Sequence, residues 1–524
     1  MNTKLFVSYI SVAVLFLFLT FQSAFGATIY VDVNGTGDYL TIQSAVDAAT
    51  TGDIIIVKPG VYTGSGSWDI NFQGKAIVLQ SQDPDDHQIV QTTIIDCNDQ
   101  GHYGFVFNSG ETTQTILAGF SITNTTNGAI WCENQSSPTI RNCSLYANKG
   151  SQVIMCRGSS PHIIGCVINE NQTSVAVECI FQPTGPSSII ASNPTIERCS
   201  ISYNAPGGGM DITNSSPIIR NTSITGNYDF GVEGQNSASD YPDFGFTPLF
   251  ENCLIAGNWD SEVSFASFSN GSINATFKNC TITSTMGCAV CDGGGAGIKL
   301  SGYENAIVRL ENCVVSHNSL YQGGSGFPQI WLGGEPKIII DYSNIQGGQT
   351  AIDAPNGGTV VWGVGNLDID PNYIDSGYWL DPIPGEYYDD TWVEGNYRLN
   401  HVSKCIDAGD NSLVSPDSND MDGDGNTTEP IPYDLDYHPR IVAGDCNSTD
   451  VVDMGAYEFS YISLGDFAGG CDVDFADFAV LASAWLTEKG QAGYDPNCDI
   501  AIPLDNKIDA KDLRVFIDNW LLNK

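Results

Sequence analysis

An all-β solenoid is predicted for this chain, and three observations carry the prediction. One short sequence pattern returns again and again between Ile116 and Asn344. Each return is filled by short apolar stretches of strand length, and Asn and Gly mark the corners. The pattern reads Pro138-Thr-Ile-Arg-Asn-Cys143-Ser-Leu, then Pro161-His-Ile-Ile-Gly-Cys166-Val-Ile, Pro194-Thr-Ile-Glu-Arg-Cys199-Ser-Ile and Pro217-Ile-Ile-Arg-Asn-Thr222-Ser-Ile. It comes back at Cys253, Cys280 and Cys313, and more faintly at Phe120 and Ser343, with equivalent positions about 23 to 33 residues apart.

The pattern dictates the shape of a repeat. Ile140, Cys143 and Leu145 are all apolar, but an odd step followed by an even one cannot hold all three on one face of a straight strand. The chain must bend between Ile140 and Cys143. The residue before the Cys position is often Asn (Asn142, Asn221, Asn252, Asn279, Asn312), which tolerates a left-handed corner. A second Asn row lies five residues after the Cys position: Asn148, Asn171, Asn204, Asn227, Asn258 and Asn318. A third short strand follows, as at Val153 to Cys156, Val175 to Cys179 and Met210 to Ile212. Three strands and three turns close one coil. Stacking coils at about 4.8 Å sets Asn over Asn, the condition for amide ladders.

On these residues, roughly half of the chain resembles the right-handed parallel β-helix of the pectate-lyase-like superfamily. The resemblance implies an all-β fold class, a right-handed parallel β-helix solenoid. The domain plan is a signal peptide at 1–26, the β-helix with its N-terminal cap at 27–365, an irregular acidic C-terminal part at 366–459, and a separate domain at 465–524. Lys4, the apolar run Leu5 to Phe21 and the small-residue end Ala24-Phe-Gly26 read as a secretory signal cleaved near Ala27. No other stretch is long and apolar enough to span a bilayer, so the mature chain is expected to be extracellular, secreted or at the cell surface.

The cap is a strand from Ile29, an amphipathic helix over Leu40 to Ala49 with Ile42, Ala45, Val46 and Ala49 on one face, and a strand over Ile54 to Val57. It covers the open end of the solenoid. The wording from Asp38 to Tyr62 is similar to the start of many bacterial β-helix proteins. The wording from Tyr433 to Phe459 is similar to their tails, where Cys405 and Cys446 are placed to pair.

Net charge is −41, from 20 Lys+Arg against 61 Asp+Glu. That excludes nucleic acid and anionic membranes as partners and suits calcium, which prefers oxygen ligands. Of 16 Cys, six (Cys143, Cys166, Cys199, Cys253, Cys280, Cys313) occupy one inward row. A stack of buried thiols is the expectation, with bridging between neighbouring coils as the alternative. Zinc is a poor fit, because the six His are scattered and Cys288 and Cys291 point to opposite faces of a strand.

The domain Gly465 to Lys524 repeats internally with a step of 35: Val473-Asp474-Phe-Ala-Asp477-Phe and Trp485-Leu match Ile508-Asp509-Ala-Lys-Asp512-Leu and Trp520-Leu. This resembles a dockerin, which implies two calcium loops, each followed by an amphipathic helix, and a cohesin-like or other surface-anchoring partner. Asp466, Asp474 and Asp477 match loop positions one, nine and twelve. Asp505, Asp509 and Asp512 match positions five, nine and twelve. Ala468, Gly470, Ala501 and Pro503 stand where oxygen ligands are usual, with Cys471 and Cys498 as a substitute staple.

A further calcium candidate is Asp420-Met-Asp422-Gly-Asp424-Gly425, the first half of an EF-hand loop. Its twelfth position is Ile431, so Glu429 or Asp434 is expected to supply the closing ligand.

Two charged rows remain. Arg141, Glu197, Arg220, Glu251, Lys278, Glu311 and Asp341 lie two before each Cys position and alternate in sign from Glu197 to Glu311, which predicts an outer salt-bridge ladder. Glu133, Arg157, Glu178, Asp211, Glu233 and Asp292 lie at or near the third strand and are mostly carboxylates. Long insertions at 181–193, 234–247 and 292–305 leave the same edge, and another lies at 319–335. Their aromatics Tyr241, Phe244, Phe246, Tyr321 and Phe327 either stack on sugars or pack the loops down.

In pectate-lyase-like proteins the corresponding strand floors the substrate groove, so the candidate catalytic residues are Arg157, Glu178, Asp211 and Glu233. A lyase needs a cation on the uronate and a base, which Arg157 with Glu178 and Asp211 fits. A hydrolase needs two carboxylates, which Asp211 with Glu233 fits. No catalytic motif of the family matches residue by residue. The expected function is binding and cleavage of an extracellular acidic polysaccharide, with calcium as cofactor. The alternative is a non-catalytic surface or adhesion protein that uses the β-helix as a rigid scaffold.

Overall fold

The protein is described by a computed structural model over residues 26–185, 188–237, 245–268, 271–287, 297–320, 328–380, 390–418, 420–444, 449–459, 465–468, 473–501 and 506–520. The signal segment, Tyr241, Phe244, Cys288, Cys291, Asp292, Tyr321, Phe327, Cys446, Cys471 and Asp505 lie outside these residues. The chain divides into two compact units, Met1–Thr195 and Ile196–Lys524.

The first unit opens with the predicted cap. Helix α1 (Ile42–Ala48) buries Ile42, Ala45 and Val46 beside the parallel strands Thr28–Val31 and Ile54–Val57. A second helix, α2 (His87–Thr92), is absent from the sequence expectation. It is capped by Asp86, whose side chain accepts from the Gln88 amide. Coils follow in which three parallel ladders run side by side. Thr139–Arg141 pairs with His162–Ile164, Ser144–Tyr146 with Val167–Asn169, and Lys149–Arg157 with Gln172–Ile180.

The second unit has the same build, with Ile218–Arg220 on Leu249–Glu251, Ser223–Thr225 on Leu254–Ala256, and Gly208–Thr213 on Phe230–Ser237. Its last coil strand is Thr359–Trp362, which pairs with Lys337–Asp341 beyond the end of the repeated pattern at Asn344.

Each predicted corner takes the left-handed backbone: φ is 53° at Asn142, 44° at Asn221, 52° at Asn252, 51° at Asn279 and 55° at Asn312. The inward rows are fully buried, among them Ile140, Ile163, Ile219, Phe250, Phe277 and Leu310. Each such side chain is worth roughly 1.5–3 kcal/mol on burial.

The second Asn row forms ladders, as expected. Asn148 Nδ2 donates to Asn171 Oδ1 at 3.0 Å in the first unit. In the second, Asn204 donates to Asn227 and Asn227 to Asn258, each at 2.9 Å, and Asn258 then donates to Glu262. Asn148, Asn171, Asn227 and Asn258 also each donate to a backbone carbonyl of the preceding coil, as Asn227 does to Ile201 at 3.2 Å, so these buried amides are satisfied within the stack.

The Cys row is buried, and Cys143, Cys253, Cys280 and Cys313 are thiols. Cys280 Sγ donates to the Lys278 carbonyl at 3.2 Å, and Cys313 Sγ to the Glu311 carbonyl at 3.3 Å. Cys405 is likewise a buried thiol.

The charged ladder forms in the second unit but is not an outer one. Arg220 bonds Glu251 and lies 3.7 Å from Glu197, with all three side chains buried, and Lys278 pairs with Glu311 at 3.1 Å. The tail covers it. Asn221 and Asn252 donate to the Asp434 and Tyr433 carbonyls, and Lys278 Nζ donates to the Leu413 carbonyl at 3.0 Å. Trp392, Tyr397 and Ala456 pack on Leu254 and Ala256, the outward residues of a second strand. A buried ion pair, Arg440 to Glu458 at 3.4 Å, sits inside this tail. With corners and second strands covered, the outer face of the third strands is, among the described residues, the face on which a site can form.

The C-terminal residues form two helices, α3 (Phe475–Ser483) and α4 (Ala510–Asn519), around Val473, Leu481, Ile508 and Phe516. Each starts with a capping box, Asp474 with Asp477 and Asp509 with Asp512.

Candidate functional site

Outward residues of successive third strands fall in register in the second unit: Asp211 opposes Glu233, Glu233 opposes Ser264, Ser264 opposes Lys299, and Lys299 opposes Trp331. Parallel strands lie about 4.8 Å apart, so this row is a narrow strip of acid, acid, hydroxyl, amine and indole. The flanking inward residues Met210, Ile212, Val232, Val263, Ile298 and Leu300 are buried and fix the strip on a rigid floor.

Two more carboxylates join from the turn before the strand. The Asp260 amide donates to the Asp229 carbonyl at 2.9 Å, which stacks those residues on consecutive coils. Lys299 Nζ reaches back to Asp260 Oδ2 at 2.9 Å. The other oxygen of Asp260, Oδ1, is buried without a hydrogen-bond partner.

One lysine thus faces four carboxylates, and the charges are not balanced. Desolvation, then the charges of Asp211, Asp229 and Asp260, push the Glu233 carboxyl up to about 7, although its side chain lies on the open face. Desolvation and the Asp260 charge push Asp229 up to about 6. Desolvation raises Asp211. Near neutral pH this group holds both protonated and ionised carboxyls, the pairing that acid–base catalysis requires. Ser264, being short, leaves room between Glu233 and Lys299.

The sequence pair Asp211 and Glu233 is therefore brought together. Asp229, Asp260 and Lys299 were missed. The first two carried a signal, since Asn227-Tyr-Asp229 and Asn258-Trp-Asp260 repeat at the ladder corner. Lys299 is the second residue of a strand, Ile298–Gly302, that lies within the insertion expected at 292–305, so it reads as loop in the sequence.

Arg157 and Glu178 belong to the first unit. Glu178 opposes Met155, and Arg157 opposes Glu133 and Ile180, so Arg157 and Glu178 share the outward face with an offset of two residues. On the same face Trp131 opposes Met155 and lies against Tyr103, with ring centroids 5.4 Å apart. Of the loop aromatics, Phe246 does not face solvent. It is fully buried against Phe265, because the coil needs an apolar plug there.

Among the metal candidates, Asp420, Asp422 and Asp424 converge at the tip of a tail loop, and Asp417, Asp422 and Glu429 converge beside them. Of the two closing ligands offered by the sequence, Asp434 is not one. Its Oδ1 accepts the Asp436 and His438 amides and its Oδ2 the Glu458 amide. Ile431 sits in an apolar cluster with Val414 and Val452.

In the C-terminal helices, Asp477 accepts the Ala468 and Asp474 amides, and Asp512 accepts those of Ile500, Ala501 and Asp509. Asp474 and Asp509 are the N-caps, and Asp466 lies in the turn before them.

Among solved structures, the chain is similar to pectate lyase Pel9A (16% identity, TM-score 0.49, covering 83% of this chain and 96% of that one). It is similar also to the A-module of the Azotobacter vinelandii mannuronan C-5 epimerase AlgE6 (15% identity, TM-score 0.40, 63% and 95%). A third likeness is to the Streptococcus pneumoniae surface protein and adhesin PfbA (14% identity, TM-score 0.37, 63% and 94%). No curated protein matches the chain in sequence. Among the described residues no helix is long and apolar enough to cross a membrane. The family model described as Right handed beta helix region matches residues 175–303, and together with the three parallel ladders it supports a right-handed parallel β-helix fold for that region.

Proposed function

We propose that this protein binds and cleaves an extracellular acidic polysaccharide, and that the Asp211–Glu233–Lys299 strip is where the bond is broken. The observation that carries the reading is a carboxyl held near neutrality, Glu233, in register with a second carboxyl, Asp211, and in one row with a buried lysine. Protonated Glu233 gives its proton to the glycosidic oxygen as the sugar leaves. At one strand spacing the pair fits double displacement: ionised Asp211 bonds the anomeric carbon as the leaving oxygen takes the proton of Glu233, and Glu233 then takes a proton from the water that displaces Asp211. Lys299 supplies the local cation that a sugar carboxylate needs on so acidic a protein.

A second reading, β-elimination, is favoured by the position of Lys299. There Lys299 neutralises the sugar carboxylate, Asp211 takes the proton from the carbon beside it, and Glu233 protonates the leaving oxygen. Trp131 with Tyr103 in the first unit offers a sugar-stacking surface on the same strand type. The dockerin-like helices are read as a calcium-supported attachment module. Their exposed Phe475, Phe478 and Ile517 form the apolar face a cohesin-like partner would cover.

The test is purified mature protein on a panel of acidic and neutral polysaccharides, reading reducing ends and unsaturated-product absorbance together. Reducing ends alone mean hydrolysis, and both signals mean elimination. Neither signal on any glycan favours the scaffold alternative.

A further inference from the structure

The segment 417–429 is a loop at the tip of a small hairpin. Its stem is an antiparallel bridge between Pro416 and Pro430, with the Asp417 amide donating to the Glu429 carbonyl at 2.7 Å and the Ile431 amide to the Ser415 carbonyl at 2.8 Å. The loop carries five acidic residues, Asp417, Asp420, Asp422, Asp424 and Glu429, and no Lys, Arg or His. Within it one carboxylate oxygen from each of Asp417, Asp422 and Glu429 lies within 4.8 Å of the others.

Asp417 is only 1% exposed. Its Oδ2 accepts the Met421 amide at 2.7 Å, and its Oδ1 is buried with no partner. Glu429 repeats the arrangement: Oε2 accepts from Asn426 Nδ2 at 2.9 Å, and Oε1 is buried with no partner. Two buried, unpartnered carboxylate oxygens at the mouth of one loop are costly unless a cation joins them. The exposed carboxylates bend the loop around that point. Asp420 Oδ1 accepts the Gly425 amide at 2.9 Å, and Asp422 and Asp424 each accept the amide two residues on.

We infer that this loop is a calcium site ligated by Asp417, Asp422 and Glu429, with Asp420 and Asp424 completing the shell, and that the bound ion clasps the tail hairpin shut. The ligand set is hard, anionic and all oxygen, which calcium takes with six to eight ligands at roughly 2.3–2.6 Å. The set departs from the EF-hand order. The closing carboxylate stands at Glu429, and a ligand from outside the motif, Asp417, comes from the opposite arm of the stem. The ion therefore ties both arms together.

Closing the stem has a structural consequence. Val414 and Ile431 pack with Val452 directly beneath the loop, and the neighbouring Leu413 carbonyl accepts from Lys278 of a coil. Clasping the loop holds the tail over the buried charge ladder. This inference is independent of the cleavage site and stands or falls without it.

The test counts bound calcium on the full chain by equilibrium dialysis with radioactive calcium, after metal removal, alongside melting curves with calcium and with chelator. Asp417→Asn/Glu429→Gln and, separately, Asp422→Asn are expected to bind one equivalent fewer than the wild type, or to weaken one site at least tenfold. The calcium-induced rise in melting temperature should shrink in both. If the double variant misfolds by circular dichroism, the exposed Asp422→Asn change decides. The dockerin-like ligands are untouched in every variant, so a difference of one equivalent belongs to this loop. Equal stoichiometry and affinity in wild type and Asp422→Asn, or no calcium bound by the wild type, overturns the inference.

Discussion

Asp211 and Glu233 are Cα partners on consecutive coils of the same parallel sheet, so two carboxylates face the same way at one strand spacing. Nothing in the coil's hydrophobic pattern needs an acid there. Desolvation raises both groups, and the charges of Asp211, Asp229 and Asp260 help carry Glu233 to about 7, which gives the first prediction a sign.

Glu233 has an ordinary value of 4.5, and the fold raises it to about 7. The stability associated with its protonated form is therefore fully present below about 4.5 and is lost as pH rises through about 7. Glu233→Gln should remove that part of the pH dependence of the melting temperature. An unchanged slope between these pH values would mean the carboxyl is not perturbed.

Arg220 is buried between Glu197 and Glu251, whereas Arg141 meets Asp85 at 3.1 Å on the surface. Removing one partner of a buried group strands the others. Arg220→Ala should cost about 3–5 kcal/mol, and Arg141→Ala about 0–1 kcal/mol. Chemical denaturation of the two variants reads the contrast, and similar costs would contradict the burial of the ladder.

Asn227 sits mid-ladder, donating to Asn258 and accepting from Asn204. Asn227→Ala leaves buried groups unpaired on both sides, at about 1–3 kcal/mol for each. A loss of less than about 1 kcal/mol in denaturant melts would show that the ladder is not needed.

Burial and the neighbouring thiols raise Cys280 well above its ordinary value of 9.0. Thiol reagent should therefore leave the Cys253–Cys280–Cys313 stack untouched in native protein and label it after denaturation. Cys280→Ser should destabilise by roughly 1–3 kcal/mol, since a hydroxyl is costlier to bury than a thiol. Finding no free sulfhydryl under denaturant would show that the row is disulfide-bonded.

Much of the coil was legible because its demands are local. A left-handed corner calls for Asn, a buried turn for a stackable amide, and an odd-then-even apolar step for a bend. Asn142, Asn148 and Ile140 announce themselves within ten residues of one another. What could not be read depends on distant chain. The burial of Arg220 rests on a tail whose Asp434 carbonyl meets the neighbouring Asn221 213 residues later. Lys299 enters the site only through the register of strands either side of an insertion, and Asp417 joins the acidic loop from outside the motif. Asp211 and Glu233 were visible as outward carboxylates, but the raised position of Glu233 rests on desolvation in the folded coil, then on the charges of Asp211, Asp229 and Asp260.

The most direct measurement is cleavage by wild type and Glu233→Gln on the acidic polysaccharide that the wild type degrades, followed across pH. The account predicts a loss of about 10²–10⁴-fold on substitution, with the fold retained, and a wild-type rate that declines as pH rises past about 7. A Glu233→Gln protein that cleaves at the wild-type rate with the same pH profile would contradict it.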